Sequence, residues 1–178
     1  YLEQEIILPW AQILLGLRAD YFNFDVENKL TLGGQPSGIA QQLLLSPKAN
    51  ISVPVMDQLA LFVNSGYGFH SNDARVVVQK QGETLPRAFG AEIGSRYGSA
   101  SSLIAASAAL WLLDLESEFV FVGDEGTTEE SGRTRRQGVD LELRLNPMSW
   151  LSLGVDATIS TGKFRDVPDD EHRIPLAP

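Results

Sequence analysis

The chain has 178 residues, with 14 lysines and arginines against 23 aspartates and glutamates and a net charge of −9, a balance that disfavours nucleic acid as a partner. It has no cysteine, which excludes a disulfide framework and Cys-ligated zinc. Mean hydropathy is −0.06, and no run of about 18 apolar residues exists to make a transmembrane helix. The richest stretch, 103–115, is broken by Ser107 and Asp114. A transmembrane β-barrel fits such a composition, because only every second residue of its strands faces lipid.

Taken in chain order, the segments alternate. The chain opens Tyr1-Leu2-Glu3-Gln4-Glu5, without a Met start or a basic leader, and a short connection follows at 8–10. Ile13, Leu15, Leu17, Ala19 and Tyr21 then alternate with Leu14, Gly16, Arg18, Asp20 and Phe22. Side chains point to opposite faces along a strand, so each such segment has two distinct sides. A long polar connection is expected over 27–44. Ala49, Ile51 and Val53 alternate with Lys48, Asn50 and Ser52, and a short turn is expected at 54–57. Leu59, Leu61, Val63, Ser65, Tyr67 and Phe69 alternate with Ala60, Phe62, Asn64, Gly66, Gly68 and His70 before a long connection at 71–84.

Phe89, Ala91 and Ile93 alternate with Gly90, Glu92 and Gly94, followed by a short turn at 97–101. Ala109, Trp111, Leu113 and Leu115 alternate with Leu110, Leu112, Asp114 and Glu116, followed by a long connection at 123–134. The clearest hairpin comes last. Val139, Leu141, Leu143 and Leu145 alternate with Asp140, Glu142, Arg144 and Asn146. After the turn Asn146-Pro147-Met148-Ser149, which has good turn chemistry, Leu151, Leu153, Val155, Ala157 and Ile159 alternate with Ser152, Gly154, Asp156, Thr158 and Ser160. Gly16, Gly94 and Gly154 read as close-approach or twist positions. The chain closes Ile174-Pro175-Leu176-Ala177-Pro178. Both ends read as cuts, so 1–178 is expected to be part of one larger domain.

Alternation alone does not say which side is wet, and a soluble barrel alternates too. Three features favour lipid outside. Short and long connections segregate to opposite ends. The strands reach about 10 residues, enough to cross a bilayer when tilted. The polar side carries Arg18, Asp20, Glu92, Asp140, Glu142 and Arg144, which suits a wet lumen. Aromatics fall near both expected interfaces: Trp10, Tyr97 and Trp150 by the short turns, and Tyr21, Tyr67 and Phe69 toward the long loops. The expected fold is all-β, an antiparallel up-and-down transmembrane barrel, in the outer membrane of a bacterial cell.

Several stretches resemble TonB-dependent outer-membrane receptors. They are Asn64-Ser65-Gly66-Tyr67-Gly68-Phe69-His70-Ser71-Asn72-Asp73-Ala74-Arg75, the run from Ala109 to Asp124, Gly126-Thr127-Thr128-Glu129, Gly132-Arg133-Thr134-Arg135-Arg136-Gln137-Gly138-Val139-Asp140, Leu15-Gly16-Leu17-Arg18-Ala19-Asp20 and the closing Ile174–Pro178. The resemblance spans nearly the whole chain. It implies part of the C-terminal barrel, about eight strands of a wall of about 22, with the N-terminal plug and the last strands elsewhere. It further implies uptake of a scarce ligand (an iron–siderophore, cobalamin or a carbohydrate), with energy from a TonB-type protein acting through that plug. Outer-membrane lipid would be the remaining partner. A complete small barrel with a structural or adhesive role and a soluble ligand-binding barrel are the alternatives.

Candidate site residues follow. His70, Asn72 and Asp73 would contact ligand at the barrel mouth, or hold a loop in an Asn/Asp turn. Arg18, Asp20, Glu92, Asp140, Glu142 and Arg144 would line the lumen, guiding substrate or forming an ion-pair lattice that holds the plug. No catalytic residue is expected: His70 and His172 are the only histidines, and no Gly-x-Ser-x-Gly motif occurs. No cofactor or metal is expected. Asp124, Glu125, Glu129 and Glu130 are acidic enough for calcium, but their spacing fits no EF-hand. They read as a solvated loop paired with Arg133, Arg135 and Arg136, a basic triplet that also suits lipid phosphates at the outer leaflet.

Overall fold

The computed structural model describes residues 1–27, 29, 37–70, 85–99, 101–122 and 127–165, and for 118–122 and 127–131 the backbone alone. Among these the chain forms ten strands and no helix: β1 (Leu2–Ile7), β2 (Gln12–Val26), β3 (Gly38–Met56), β4 (Leu59–Phe69), β5 (Arg87–Tyr97), β6 (Ile104–Leu115), β7 (Glu118–Val122), β8 (Thr127–Ser131), β9 (Thr134–Met148) and β10 (Leu151–Phe164). Eight form one sheet in the order β1-β2-β3-β4-β5-β6-β9-β10, every neighbour antiparallel. This is the expected up-and-down wall. No pairing joins β10 to β1, so the sheet is open. β7 and β8 form a separate hairpin between β6 and β9.

Three local features differ from the alternation pattern. Residues 38–44, expected in a long connection, belong to β3, which pairs with β2 from Val26↔Gly38 to Gln12↔Ser52. The run Leu43-Leu44-Leu45 hid the period, but β2 supplies a continuous template for it. The expected loop at 123–134 contains β8, paired with β7 from Glu118↔Ser131 to Val122↔Thr127. The last hairpin turns at Ser149–Trp150, with Asn146, Pro147 and Met148 still inside β9. Its register shifts between Leu151 and Leu153.

Three prolines mark irregularities in the ladders. Proline gives no N–H to a ladder, so within sheets it sits at edges and bulges. Pro147 lies at the β9–β10 register shift, and Pro54 lies at the shift between Pro54 and Met56 in the β3–β4 ladder. Pro47 marks a larger break: the β3–β4 ladder stops at Lys48↔Gly66, while β3 continues beside β2 to Gly38. Phe69 bears on this opening. Its ring lies edge-on to Phe22, with centroids 5.3 Å apart, and the Arg18 guanidinium is 6.0 Å from its centre. Phe69 is therefore not a girdle residue.

The sheet is a single layer. Among the described residues the buried apolar side chains are Ala11, Leu44, Leu85 and Pro86. Side chains that a two-layer domain would bury against a partner layer stand open instead: Leu153 is 52% exposed, Val155 65% and Ile159 74%.

Candidate functional site

The register places the charged residues. Along one row Leu14 opposes Asn50, Asn50 opposes Asn64, Asn64 opposes Glu92, Glu92 opposes Trp111, Trp111 opposes Gly138 and Gly138 opposes Ser160. Opposed residues share a face, as do residues two apart on a strand. Arg18 and Asp20 therefore lie on the face of Leu14, and Asp140, Glu142 and Arg144 on that of Gly138. All six residues expected on the polar side occupy one face, spread across β2, β5 and β9.

Their contacts are local. Arg18 donates from Nε and Nη2 to Asp20 Oδ1 at 2.9 and 2.7 Å. Arg144 Nη2 lies 3.1 Å from Glu142 Oε1, and Ser107 Oγ donates to Glu142 Oε2 at 3.4 Å. Asn64 Nδ2 donates to Glu92 Oε1 at 2.6 Å. Asp140 stands exposed, opposite Ala109 on β6. Among the described residues these pairs are separate contacts between neighbouring side chains.

Further residues join this face that strand-by-strand reading left unassigned. Lys48 on β3 reaches over Gly16 on β2 to pair with Glu3 on β1 at 2.7 Å, and Tyr1 donates to the same carboxylate. A Cβ on Gly16 would meet the Lys48 stem at 2.5 Å, so the lysine would have to shift to accommodate one. Trp111 lies over Gly138, where a Cβ would come within 2.7 Å of the indole. Its Nε1 is buried without a hydrogen-bond partner. Phe62 lies over Gly94 in the same way, with Arg96 5.4 Å from the Phe62 ring centre. Gly154 has open space around it and is no close-approach site. Register across three strands was the signal needed for the Lys48–Glu3 pair, and alternation within one strand does not contain it.

The opposite face is apolar through its middle. Leu15, Leu17, Ile51, Leu61, Val63, Ile93, Leu110, Leu141, Leu143 and Val155 are exposed there. Tyr21, Tyr67 and Tyr97 lie on it and are exposed, and Trp10 and Trp150 stand exposed at two of the short turns. Tyr67 packs against Phe89 at 5.0 Å. Toward the long-loop end this face turns polar, with Asp114 on β6, Arg135 on β9 and Lys163 on β10. Arg135 donates from Nε and Nη2 to the two carboxylate oxygens of Asp114, each at 2.6 Å. The partner of Arg135 is thus Asp114 on the neighbouring strand, where the sequence pairs it with the acidic loop at 124–130.

Of the mouth candidates, His70 is described and exposed, and its backbone N–H donates to the Pro86 carbonyl at 3.2 Å. Asn72 and Asp73 lie outside the described residues, as do Asp124 and Glu125, while Glu129 and Glu130 are seen only as backbone in β8. No metal-binding group of His, Cys, Asp and Glu occurs among the described residues.

An open antiparallel wall with one apolar and one charged face, tight turns at one end and long connections at the other, is a piece of a membrane β-barrel. Residues 1–178 match the family described as TonB dependent receptor-like, beta-barrel, over their whole length, and the chain belongs to that family. It is accordingly an outer-membrane protein of bacteria. No curated protein matches it in sequence. Solved structures with the same fold include the FrpB iron transporter from Neisseria meningitidis (F3-3 variant), with a TM-score of 0.68 at 17% identity, covering 96% of this chain and 26% of that one. Another is the ferric-catecholate import receptor Fiu from E. coli, with a TM-score of 0.64 at 16% identity, covering 92% of this chain and 27% of that one. The chain thus spans about a quarter of the length of these structures.

Proposed function

We propose that these 178 residues are a stretch of the wall of a larger TonB-dependent receptor that takes up a scarce ligand across the outer membrane. The apolar face, with Leu153, Val155 and Ile159, lies against lipid. The charged face, with Arg18, Asp20, Glu92, Asp140, Glu142 and Arg144, lines the lumen. One observation carries this orientation: among the described residues no other layer of protein covers the apolar face. In water such a surface would be far larger than the few hundred Å² a soluble monomer exposes.

The ligand class is an iron–siderophore complex, cobalamin or a carbohydrate. FrpB and Fiu, which share this fold, are named as an iron transporter and a ferric-catecholate import receptor, which favours an iron chelate. Energy would come from a TonB-type protein acting through a plug, and no chemistry on the ligand is required of this wall. In this reading His70, Asn72 and Asp73, in the stretch that follows β4, would touch ligand at the barrel mouth. The test is uptake of radiolabelled ferric catecholate, cobalamin and an oligosaccharide by cells with and without the gene, in backgrounds with and without the TonB-type protein. Loss of one uptake in both deletions is expected. Undiminished uptake of all three in the gene deletion would sink the proposal.

A further inference from the structure

Two hollows lie on the charged face along the β4–β5 pair, one at each side of a narrow step. The hollow toward the long loops, of about 290 Å³, is floored by Gly66 and Gly90 and edged by Asn50, Asn64, Glu92 and Trp111. Nothing stands within 4 Å over Gly90. The hollow at the short-turn end, of about 410 Å³, lies between two turns, with Gln58, Ala60, Arg96, Ser99 and Ser102 on its walls. The register stacks them on one track: Gly66 opposes Gly90, Asn64 opposes Glu92, Phe62 opposes Gly94 and Ala60 opposes Arg96. From Gly90 to Arg96 the strand runs about 20 Å at about 3.3 Å per residue.

The step between the hollows is Phe62 over Gly94, with the Arg96 guanidinium 5.4 Å from the ring centre. The charge of Arg96 is unmatched. Arg18, Lys48 and Arg144 on the same face each pair with a carboxylate. Among the described residues Arg96 pairs with none, Asp57 in the same hollow included. Hydroxyls stand beside it. Ser99 Oγ lies 3.1 Å from both Ser101 Oγ and Ser102 Oγ. Two links use two of the three hydroxyl protons, so one is left to donate outward. Along the row from Arg96 come Ser107, Glu142 and then Asp156. The two opposed carboxylates repel an anion from β9 and β10, which leaves the β4–β5 track as its path.

We propose that Arg96 is an anion site at the periplasmic end of the wall, which holds a carboxylate or catecholate group of the ligand as it leaves the lumen. It rests on the receptor reading above and on the lumen-facing assignment of this side. Two oxygens side by side match the parallel N–H pair of a guanidinium. The bare glycine backbone of the first hollow gives a bulky ligand room beside the wall, and the Phe62–Arg96 step is where it narrows. A path must bind its cargo well enough to admit it and weakly enough to release it. One exposed arginine with a hydroxyl cluster, open to solvent, meets both demands.

The test uses the full-length receptor in cells, with radiolabelled ferric tris-catecholate, a trianion, as the probe. Binding to chilled cells is compared with the maximal uptake rate of energised ones. Arg96→Gln should leave chilled-cell binding unchanged and slow uptake about tenfold, and Arg96→Lys should restore most of the rate. Ala60→Asp, which sets a carboxylate directly opposite Arg96, should slow uptake with the arginine still in place. Wild-type uptake that Arg96→Gln and Ala60→Asp both match overturns the anion site and leaves the receptor reading standing. So does weakened chilled-cell binding in Arg96→Gln, which would make the arginine part of ligand capture. Entry of a bulky antibiotic through Arg96→Gln without the TonB-type protein overturns it as well, because the arginine would then be a latch on the plug. Wild-type uptake of cobalamin or an oligosaccharide in place of the catecholate overturns the anionic cargo alone, and uptake of none of the three overturns the receptor reading with it.

Discussion

Replacing Ala157 with arginine separates the two faces by a single residue step. Ala157 opposes Leu141 on the apolar side of β10, and its neighbour Thr158 opposes Asp140 on the charged side. At about 3.3 Å per residue and a tilt of about 45°, Ala157 stands about 14 Å above Leu151, near the middle of an apolar band about 25 Å tall. Arginine at the midplane costs roughly 2–4 kcal/mol, a shift of roughly thirtyfold to nearly a thousandfold in the folding equilibrium. Ala157 and Thr158 are both exposed, so protein packing contributes little at either position and the contrast reports the surrounding medium. The cost should fall with height, from Ala157→Arg through Ile159→Arg to about 0–1 kcal/mol at Thr161→Arg. Thr158→Arg should cost little. The assay is urea unfolding of the chain in phosphocholine vesicles, followed by tryptophan fluorescence. If Thr158→Arg proves as costly as Ala157→Arg, or if the gradient is flat, the lipid-facing assignment is wrong.

Other substitutions probe what holds the sheet together. Gly138→Val should lower the urea midpoint by about 1–3 kcal/mol equivalent, because its Cβ would lie 2.6 Å from the Ile159 carbonyl oxygen and 2.7 Å from the Trp111 ring; an unshifted midpoint would show that Trp111 does not lie over that glycine. Gly98, with φ of 71°, turns β5 into the connection to β6, so Gly98→Ala should cost about 1–2 kcal/mol, read in the same titration; a smaller loss than at Gly138 is not expected to vanish, and no loss at all would contradict the turn. Asp114→Asn leaves Arg135 and Arg165 without their shared acid, so its destabilisation should be greatest at low ionic strength and shrink as added salt shortens the screening length to about 8–10 Å. A salt-independent loss would mean that the aspartate acts through packing.

The wall was legible in the sequence because its faces differ in kind. Leu151–Ile159 and Val139–Leu145 alternate cleanly between apolar and polar side chains. The upper half of β3 was not legible. Leu43, Leu44 and Leu45 are consecutive, and only pairing with residues 20–26 of β2 makes them strand. Leu44 is 2% exposed on the charged face, so apolar residues there no longer mark the outer side. The β7–β8 hairpin was hidden for a different reason. Its acidic residues read as a solvated loop, and a two-stranded ribbon needs no buried face to betray it.

For the candidate site, alternation assigned all six charged residues to one face but not their partners. Arg18–Asp20 and Glu142–Arg144 are two apart and visible along one strand. Glu3–Lys48 and Asp114–Arg135 join different strands, so they depend on register, which is set by turns and bulges. The prolines at 47, 54 and 147 govern three of those irregularities. Each was visible in the sequence, yet its consequence appears only when the neighbouring strand is known. Pro47 is the clearest case. Its missing N–H coincides with the end of the β3–β4 ladder, and Phe69, which a reading of β4 alone assigns to the outer girdle, meets Phe22 and Arg18 instead.

The same logic bears on where stability comes from. A soluble domain offsets the entropy of ordering its backbone by burying apolar side chains against each other. Here the described residues bury only Ala11, Leu44, Leu85 and Pro86 among apolar side chains. The sheet's internal gains are its backbone ladders, the aromatic–glycine contacts at Gly94 and Gly138, and a few ion pairs, most of them exposed. Exposed ion pairs contribute little, and backbone bonds made in water replace bonds to water at small net gain. In the bilayer the balance changes: an unpaired N–H or C=O there costs several kcal/mol, so every ladder bond becomes obligatory. The alternation that marks this chain as a wall is therefore also the reason its stability depends on the membrane around it.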